Sequence, residues 1–147
     1  THIYQGVIEQ LKSEGYKVEL IFFHDVPNRK LRYYQMQADI FADMLTFGWF
    51  GANIREGMML GKACVCYLRP EWLEQAREEI PEYIDELPVI SATPDTIYQV
   101  LKDLIENPQK RVEIGRRSRE FAVKWHSAVA GAKRLDGIYS ELLKKKA

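Results

Sequence analysis

The sequence GWFGANIREGMMLGKACVCYL, residues 48–68, joins a glycine-rich turn to a short helix and a buried strand. The glycines at its start suit a tight turn or a close backbone approach, because glycine adopts positive φ freely. Residues 52–60 contain no proline and predict a helix, which Gly61 would end. The apolar run 63–68 then predicts a strand of a parallel sheet, buried on both of its faces.

The start of the predicted helix is the candidate binding site. A loop that leads into a helix N-terminus offers free N–H groups and the positive end of the helix dipole, which together suit a phosphate. Glu56 lies about one turn into this helix, within reach of a ligand held at its start. Arg55 and Lys62 are interpreted as surface charges, although either could neighbour a phosphate.

The same residues resemble the donor-binding signature of the GT-B glycosyltransferases, the large retaining group that includes glycogen-synthase-like, lipopolysaccharide and capsule enzymes. The pattern of that family is roughly E-G-F-G-x-x-x-x-E-A-M-A-x-G-x-P-V. Its matches in this chain are Phe50-Gly51, Glu56, Met58 and Gly61-Lys62. Its first glutamate falls on Gly48, its next glycine on Trp49 and its proline on Ala63. The resemblance extends over about residues 1–143.

The resemblance implies a donor-binding role for five residues of this stretch. Glu56 would accept hydrogen bonds from the ribose hydroxyls, and a carboxylate suits two adjacent hydroxyl donors. The backbone of Phe50, Gly51 and Ala52 would face the diphosphate and the sugar. The side chain of Asn53 would add a donor, and an asparagine that only begins a helix is an equal interpretation.

The loop that contains His24 and Val26 would receive the nucleotide base, again by resemblance. His24 is interpreted as a structural or base-flanking residue rather than a catalytic one. No residue is assigned a catalytic role with certainty, because the family's first glutamate, which contacts the donor sugar, is replaced by Gly48. Glycine offers no side chain, so either the sugar is handled differently or activity is lost.

Strands alternate with helices along the chain, which predicts a parallel sheet with helices on both faces. The predicted strands are 16–23, 38–43, 63–68 and 88–91, and the predicted helices are 1–14, 29–37, 52–60, 70–79, 94–106, 108–124 and 127–144. Residues 81–87 are predicted to be a connection. The fold class is therefore α/β. The resemblance implies a Rossmann-like three-layer α/β/α domain with about four strands and long C-terminal helices, one half of a GT-B fold.

The composition excludes several classes of function. The formal net charge of the chain is zero, so nothing favours nucleic acid as a partner. No apolar run approaches the roughly 20 residues of a transmembrane helix. Cys64 and Cys66 are interpreted as buried, reduced thiols of a cytoplasmic protein. Asp39 and Asp43 are not interpreted as a metal site, and no cofactor or metal is expected.

We expect residues 1–147 to be a single C-terminal nucleotide-sugar-binding domain, a fragment without the N-terminal acceptor domain and the first strands. The reason is that the family's Lys-Gly step, which directly precedes its first helix, is absent here. The expected function is binding the donor of a glycosyltransferase that transfers a hexose from a nucleotide-diphosphate sugar to an acceptor glycan or lipid. The acceptor would bind the missing domain, so the fragment alone is expected to be inactive.

Two alternatives remain open at this point. The first is a non-catalytic α/β nucleotide-binding or assembly module that has lost its chemistry, which Gly48 favours. The second is a sugar-nucleotide epimerase of GT-B fold, which would need histidine and acidic residues in a cleft. The expected location is the cytoplasm, with peripheral membrane association open to the full-length protein.

Overall fold

The computed structural model describes residues 2–23 and 25–144, and most of them are helical. The elements in chain order are α1 (His2–Ser13), α2 (Asn28–Gln37), β1 (Ile40–Ala42), α3 (Ala52–Met59), β2 (Ala63–Cys66), α4 (Pro70–Glu79), α5 (Pro81–Glu86), β3 (Ile90–Ser91), α6 (Ile97–Glu106), α7 (Pro108–His126) and α8 (Ala128–Lys144). Short strands between helices confirm the predicted α/β class. None of the helices in these two ranges is long and apolar enough to cross a membrane.

The sheet of the described residues has three strands in the order β1-β2-β3, and both strand pairs are parallel. Phe41 of β1 is paired with Cys64 of β2, and Val65 of β2 with Ile90 of β3. The prediction of about four strands is therefore wrong for this part of the chain. The parallel direction is as predicted, so the three strands end at the same edge of the sheet.

The predicted strand at 16–23 is wrong, because these residues have no regular secondary structure and belong to none of the three strands. A groove of about 850 Å³ separates residues 17–22 from β1, with α1 along one side of it. Val18 and Leu20 pack against the core cluster formed by α1 and α6, whereas Ile21 remains 44% exposed. Neighbouring strands must lie about 4.8 Å apart to form a ladder. The apolar alternation therefore indicated correctly that Val18 and Leu20 face the core, but it did not decide whether the segment joins the sheet.

Different helices cover the two faces of the sheet. One face carries Phe41 and Cys64 and packs against α3 and α7, with Ile54, Met58, Phe121 and Ala122 as its buried partners. The other face carries Val65 and packs against α1 and α6, with Ile8, Leu11, Ile97, Leu101 and Leu104 as its buried partners. Because neighbouring strand residues point to opposite faces, the continuous apolar run of β2 is buried on both sides, as predicted.

Two helix boundaries differ from their predictions for local reasons. Residues 81–87 were expected to be a connection, but Pro81 begins α5, where a proline in the first turn and Glu82 beside the helix dipole both favour a helix start. The helix expected from residue 94 begins at Ile97. The turn before it is closed by the Thr93 amide, which donates to the Thr96 hydroxyl at 2.9 Å.

The two cysteines are buried and free, in agreement with the prediction. Burial raises the pKa of the Cys66 thiol to about 12, and it raises the pKa of Cys64 as well. Both side chains are therefore neutral thiols at physiological pH. Both pack as apolar side chains on the sheet face opposite to Val65, and neither is a reactive sulfur.

Candidate functional site

The glycine-rich loop 43–51 lies at the carboxyl edge of the sheet, where the parallel topology predicts a ligand site. The Asp43 amide donates to the Val65 carbonyl at 3.0 Å, and the Tyr67 amide donates to the Met44 carbonyl at 2.9 Å. An isolated parallel bridge then pairs Gly48 with Leu68. These contacts continue the β1–β2 pairing beyond the strand ends, so the loop is fixed against the segment that follows β2.

The helix α3 begins at the end of this loop without a side-chain cap. Gly51 precedes it in an extended conformation, with φ −99° and ψ −162°, and no side chain caps its first turn. Ala52 and Asn53 are both exposed. The first N–H groups of an uncapped helix have no intrahelical acceptor. They are therefore open to an acceptor supplied by a ligand, which is the property that the sequence predicted for the loop leading into this helix.

Phe50 reaches the site through its backbone only. Its ring is 7% exposed, stacks on Trp49 at a centroid distance of 5.4 Å, and meets the His126 ring edge-on at 6.0 Å. A ring packed in this way belongs to the core between the loop and α7. The prediction that the backbone at Phe50, and not its side chain, would face a ligand is compatible with this packing.

Glu56 lies on the exposed side of α3 and is held by one neighbour. Its Oε2 accepts a hydrogen bond of 2.7 Å from Nε2 of Gln35, a buried residue of α2. A small cleft of about 310 Å³ borders the carboxyl group, and it is lined by Ala52, Arg55, Glu56, Met59 and His126. The amide of Gln35 orients the carboxylate, and the second carboxylate oxygen has no hydrogen-bond partner in the described part of the chain.

His126 is a residue of this cleft that the sequence did not suggest. Its Nε2 lies 3.0 Å from the Tyr83 hydroxyl. Burial, together with the positive charge of Arg55, lowers the pKa of the imidazole. Burial also raises the pKa of Tyr83 to about 12. His126 is therefore a neutral imidazole near pH 7, and it ends α7 far along the chain from α3, where no sequence spacing could connect it to Glu56.

The predicted base-binding loop is only partly described. Val26 is half-buried just before α2 begins, whereas His24 lies outside the described residues. The two ends of α2 connect this loop to the site, because Val26 comes just before its start and Gln35, near its end, contacts Glu56. The structure thus places Val26 and Glu56 at opposite ends of one helix and brings together Phe50, Gly51, Ala52, Asn53 and Glu56 around the start of α3.

A carboxylate also lies near the start of α3. The Asp43 Oδ2 atom is 3.8 Å from the position that a Cβ on Gly51 would occupy. Asp43 borders the groove of about 850 Å³, which is larger than the cleft at Glu56. This groove lies between β1 and residues 17–22, which are outside the sheet, so we interpret it as a feature of the sheet edge. It does not decide where a ligand binds.

No family model, curated protein or solved structure matches this chain. Its functional interpretation therefore depends on the chemistry of the loop, of α3 and of the cleft, together with the resemblance of residues 48–68. Within 2–23 and 25–144, no three histidine, cysteine or acidic residues are grouped as metal ligands. The expectation that no metal takes part stays a prediction.

The cations near α3 differ in how they are held. Lys62 donates from Nζ to the Met36 carbonyl at 3.0 Å, which ties it to α2. Arg55 is exposed at the cleft beside Glu56. The site therefore combines a carboxylate with an open oxygen, an uncapped helix start and a guanidinium. This set suits a ligand that carries both hydroxyl groups and anionic oxygens.

Proposed function

We propose that this chain is the donor-nucleotide-binding domain of a GT-B glycosyltransferase, which transfers a hexose from a nucleotide-diphosphate sugar to an acceptor. The observation that carries the proposal is the position of Glu56. Its carboxylate is one helical turn from the uncapped start of α3, borders a cleft, and keeps one oxygen open. A ribose needs such an acceptor beside its diphosphate, because its two hydroxyls are adjacent donors.

The hydrogen bond from Gln35 supports this role by orienting the acceptor. An exposed glutamate normally samples several rotamers, and ordering such a side chain on binding costs about 1 kcal/mol. The bond of 2.7 Å to a buried amide restricts Glu56 before any ligand arrives. A carboxylate has about four lone-pair sites, so one donor from the protein leaves room for two hydroxyl donors.

The diphosphate would bind at the loop that leads into α3. The N–H groups of Ala52 and Asn53 have no side-chain cap, and the extended Gly51 lets the backbone approach a ligand closely. Negative charge develops on the diphosphate as the hexose leaves, and fixed backbone dipoles stabilise such charge. In this proposal the chain supplies that stabilisation through its backbone and through arginine side chains, with no step assigned to a metal.

A second candidate function is a nucleotide-binding or assembly module without transferase chemistry. Gly48 favours it, because glycine has no side chain that could take over the sugar contact of the family's first glutamate. Gly48 has φ +105°, and a Cβ at this position would lie 2.9 Å from the Cβ of Arg69. The two candidates share the ribose and diphosphate contacts, and they differ in whether a hexose is transferred once the acceptor domain is present.

Nucleotide binding tests both candidates in the 147-residue chain. The probes are uridine, guanosine and adenosine with their diphosphates, titrated to millimolar concentration and followed by two-dimensional NMR. We expect one base series to bind, with Glu56→Gln lowering its affinity about tenfold, since hydrogen bonds to a charged group contribute about 1.5 kcal/mol or more. Glu9→Gln, which removes the same charge from the exposed face of α1, serves as the control.

The outcomes separate the interpretations. Equal affinity of the natural chain and Glu56→Gln would show that Glu56 does not bind the ribose, and the proposal would lose its support. We also expect no hexosyl transfer by this chain alone, because an acceptor must be bound by another domain. Turnover of a nucleotide-diphosphate hexose by the isolated chain would contradict that expectation. Hexosyl transfer by a protein that combines this chain with an acceptor-binding domain would exclude the non-catalytic module.

A further inference from the structure

Arg69 occupies the space in which the family's first glutamate would extend. The nearest atoms to a Cβ built on Gly48 are the Cβ of Arg69 at 2.9 Å and its Nε at 3.2 Å. The positive φ of Gly48 adds strain to any side chain at this position. The Arg69 side chain therefore fits only because residue 48 is a glycine. The charge at this point of the site is positive, whereas the family pattern has a carboxylate here.

The backbone holds Arg69 against this loop. Its amide donates to the Gly48 carbonyl at 2.8 Å, next to the parallel bridge between Gly48 and Leu68. Arg69 is also the extended residue that precedes Pro70 at the first turn of α4. Its Cα is thus fixed by β2 on one side and by a helix on the other, both at the carboxyl edge of the sheet.

The guanidinium of Arg69 rests on an aromatic surface. Its Cζ lies 4.7 Å from the ring centroid of Trp72, and Trp72 in turn meets the Phe47 ring edge-on at 5.9 Å. Arginine stacked in this way keeps its N–H donors in the plane of the group and free to bind. The stacking orients the guanidinium without using any of its five donors.

No acceptor within 2–23 and 25–144 pairs with the guanidinium of Arg69. Four other arginines of these ranges have one: Arg77 pairs with Asp85, Arg116 with Glu113 and Glu120, Arg111 donates to the Leu104 and Ile105 carbonyls, and Arg119 donates to the Met59 carbonyl. Arg55 and Arg134 have none in these ranges, but both are exposed to solvent. Unpaired Arg117 is exposed on α7, whereas Arg69 is half-buried at the loop. A half-buried, oriented cation without a partner is suited to an anion from outside the chain.

The carboxylate near α3 adds a reason for such a cation. The Asp43 Oδ2 atom lies 3.8 Å from the position of a Cβ on Gly51, so its negative charge would repel a diphosphate bound at the helix start. Backbone N–H groups and the helix dipole contribute only about 0.3–1 kcal/mol for an exposed anion. A guanidinium that binds two anionic oxygens at once provides the compensating attraction.

We propose that Arg69 binds the anionic oxygens of the donor beyond its nucleoside, and so determines which donors the site accepts. This inference rests on the proposed donor site and deepens it. Two parts of a donor carry such oxygens, the diphosphate and the carboxylate of an acidic sugar. Both present two oxygens in a geometry that a guanidinium fork matches.

The test compares Arg69→Met, which keeps the aliphatic stem, with Arg69→Lys, which keeps the charge. The exposed Arg117→Met is the matched control for net charge. Uridine, uridine diphosphate, inorganic pyrophosphate, UDP-glucose and UDP-glucuronate are titrated by NMR at low and at physiological salt. Circular dichroism melts establish that each variant is folded.

We expect Arg69→Met to lower the affinity for uridine diphosphate and pyrophosphate at least tenfold and to leave the affinity for uridine unchanged. Arg69→Lys should retain part of the affinity. A loss confined to UDP-glucuronate would identify the sugar carboxylate as the group bound. In either case the salt dependence of binding should weaken in Arg69→Met and persist in Arg117→Met.

Unchanged affinity of Arg69→Met for every anionic probe would overturn the inference and reduce Arg69 to a packing partner of Trp72. The proposed function would survive that result if Glu56→Gln still weakened the binding of uridine. A different result would be that no nucleoside binds while pyrophosphate binding still depends on Arg69. It would retain an anion site at Arg69 and remove the glycosyltransferase proposal.

Discussion

Gly61 and Gly115 lie so close together that a Cβ on Gly115 would overlap the carbonyl oxygen of Gly61. The contact joins α7 to the turn that ends α3, where Gly61 has φ +70°. The Arg119 side chain of α7 adds a hydrogen bond to the Met59 carbonyl at the end of α3. The helix that carries Glu56 is thus fixed at its C-terminal end by direct backbone packing.

Replacing Gly115 by alanine should destabilise the protein through this contact. Gly115→Ala forces α7 away from a backbone atom that cannot rotate aside, and overpacking of this kind costs about 1–3 kcal/mol. Urea unfolding followed by circular dichroism measures the effect. Gly6→Ala is the control, because nothing lies within 4 Å of its added Cβ. Gly6 is inside α1, so that substitution should raise the free energy of unfolding by about 0.5–1 kcal/mol. Equal stability of Gly115→Ala and the natural chain would contradict the packing.

Replacing Ser118 by alanine should not destabilise the protein, in contrast to Gly115→Ala. Its side chain is 0% exposed, and within the described ranges its hydroxyl is the buried side-chain polar group that has no hydrogen-bond partner. Burying an unpaired hydroxyl costs about 1–3 kcal/mol in proteins. We expect Ser118→Ala to leave the free energy of unfolding unchanged or to raise it by about 1 kcal/mol.

Ser127 is the matched control for Ser118, because its hydroxyl is used. Its Oγ accepts a hydrogen bond of 3.1 Å from the Ala130 amide at the start of α8. Loss of such a cap costs about 1 kcal/mol of helix stability. Ser127→Ala should therefore lower the helical signal or the free energy of unfolding. A loss of stability in Ser118→Ala would mean that its hydroxyl has a partner after all.

The elements around the site could be predicted because single residues determine them locally. Gly61 ends α3 with a positive φ, and Pro70 begins α4 at the predicted residue. The continuous apolar run of β2 indicated a strand covered on both faces, which the structure has. In each case the conformational preference of one residue or a short run decides the boundary.

The contacts that could not be predicted join residues distant in the chain. The apolar alternation of 16–23 indicates an extended segment, but whether it pairs depends on a neighbouring strand. The cleft depends on His126 reaching Phe50 and Tyr83, and the orientation of Glu56 depends on Gln35. Tertiary packing brings these residues together, and no periodicity within any one segment encodes it.

The exposed face of α8 is a second feature that the sequence pattern could not predict. Leu135, Ile138, Tyr139 and Leu142 recur at helical spacing and predict one apolar face, yet each is about half exposed. Hydrophobic periodicity identifies which residues share a helix face. It does not state whether a second element lies against that face, because that depends on how the helix leaves the rest of the fold. In this structure α8 contacts α7 and extends beyond the core.

His126 makes the stability of the protein depend on pH. Burial and the neighbouring charge of Arg55 lower the pKa of its imidazole in the folded state. A base with a depressed folded pKa contributes stability that is complete above its unfolded pKa, near 6.5, and is lost as the pH falls through the folded value. The free energy of unfolding should therefore fall as the pH is lowered below about 6.5. His126 is half-buried, so solvent screening should keep this loss below about 1 kcal/mol.

The contribution of His126 is measured by comparing urea unfolding of the natural chain and of His126→Gln at pH 7.5 and pH 5.5. The other histidines and all carboxylates are common to both proteins, so the difference between the two pH dependences reports His126. We expect a smaller loss of stability in His126→Gln. Arg55→Met should act in the same direction through a different cause, by removing the charge that disfavours the imidazolium, and NMR titration of His126 should then give a higher pKa. Identical pH dependences in the natural chain and His126→Gln would show that the imidazole titrates alike in the folded and unfolded states, and that the cleft beside Glu56 is open to water.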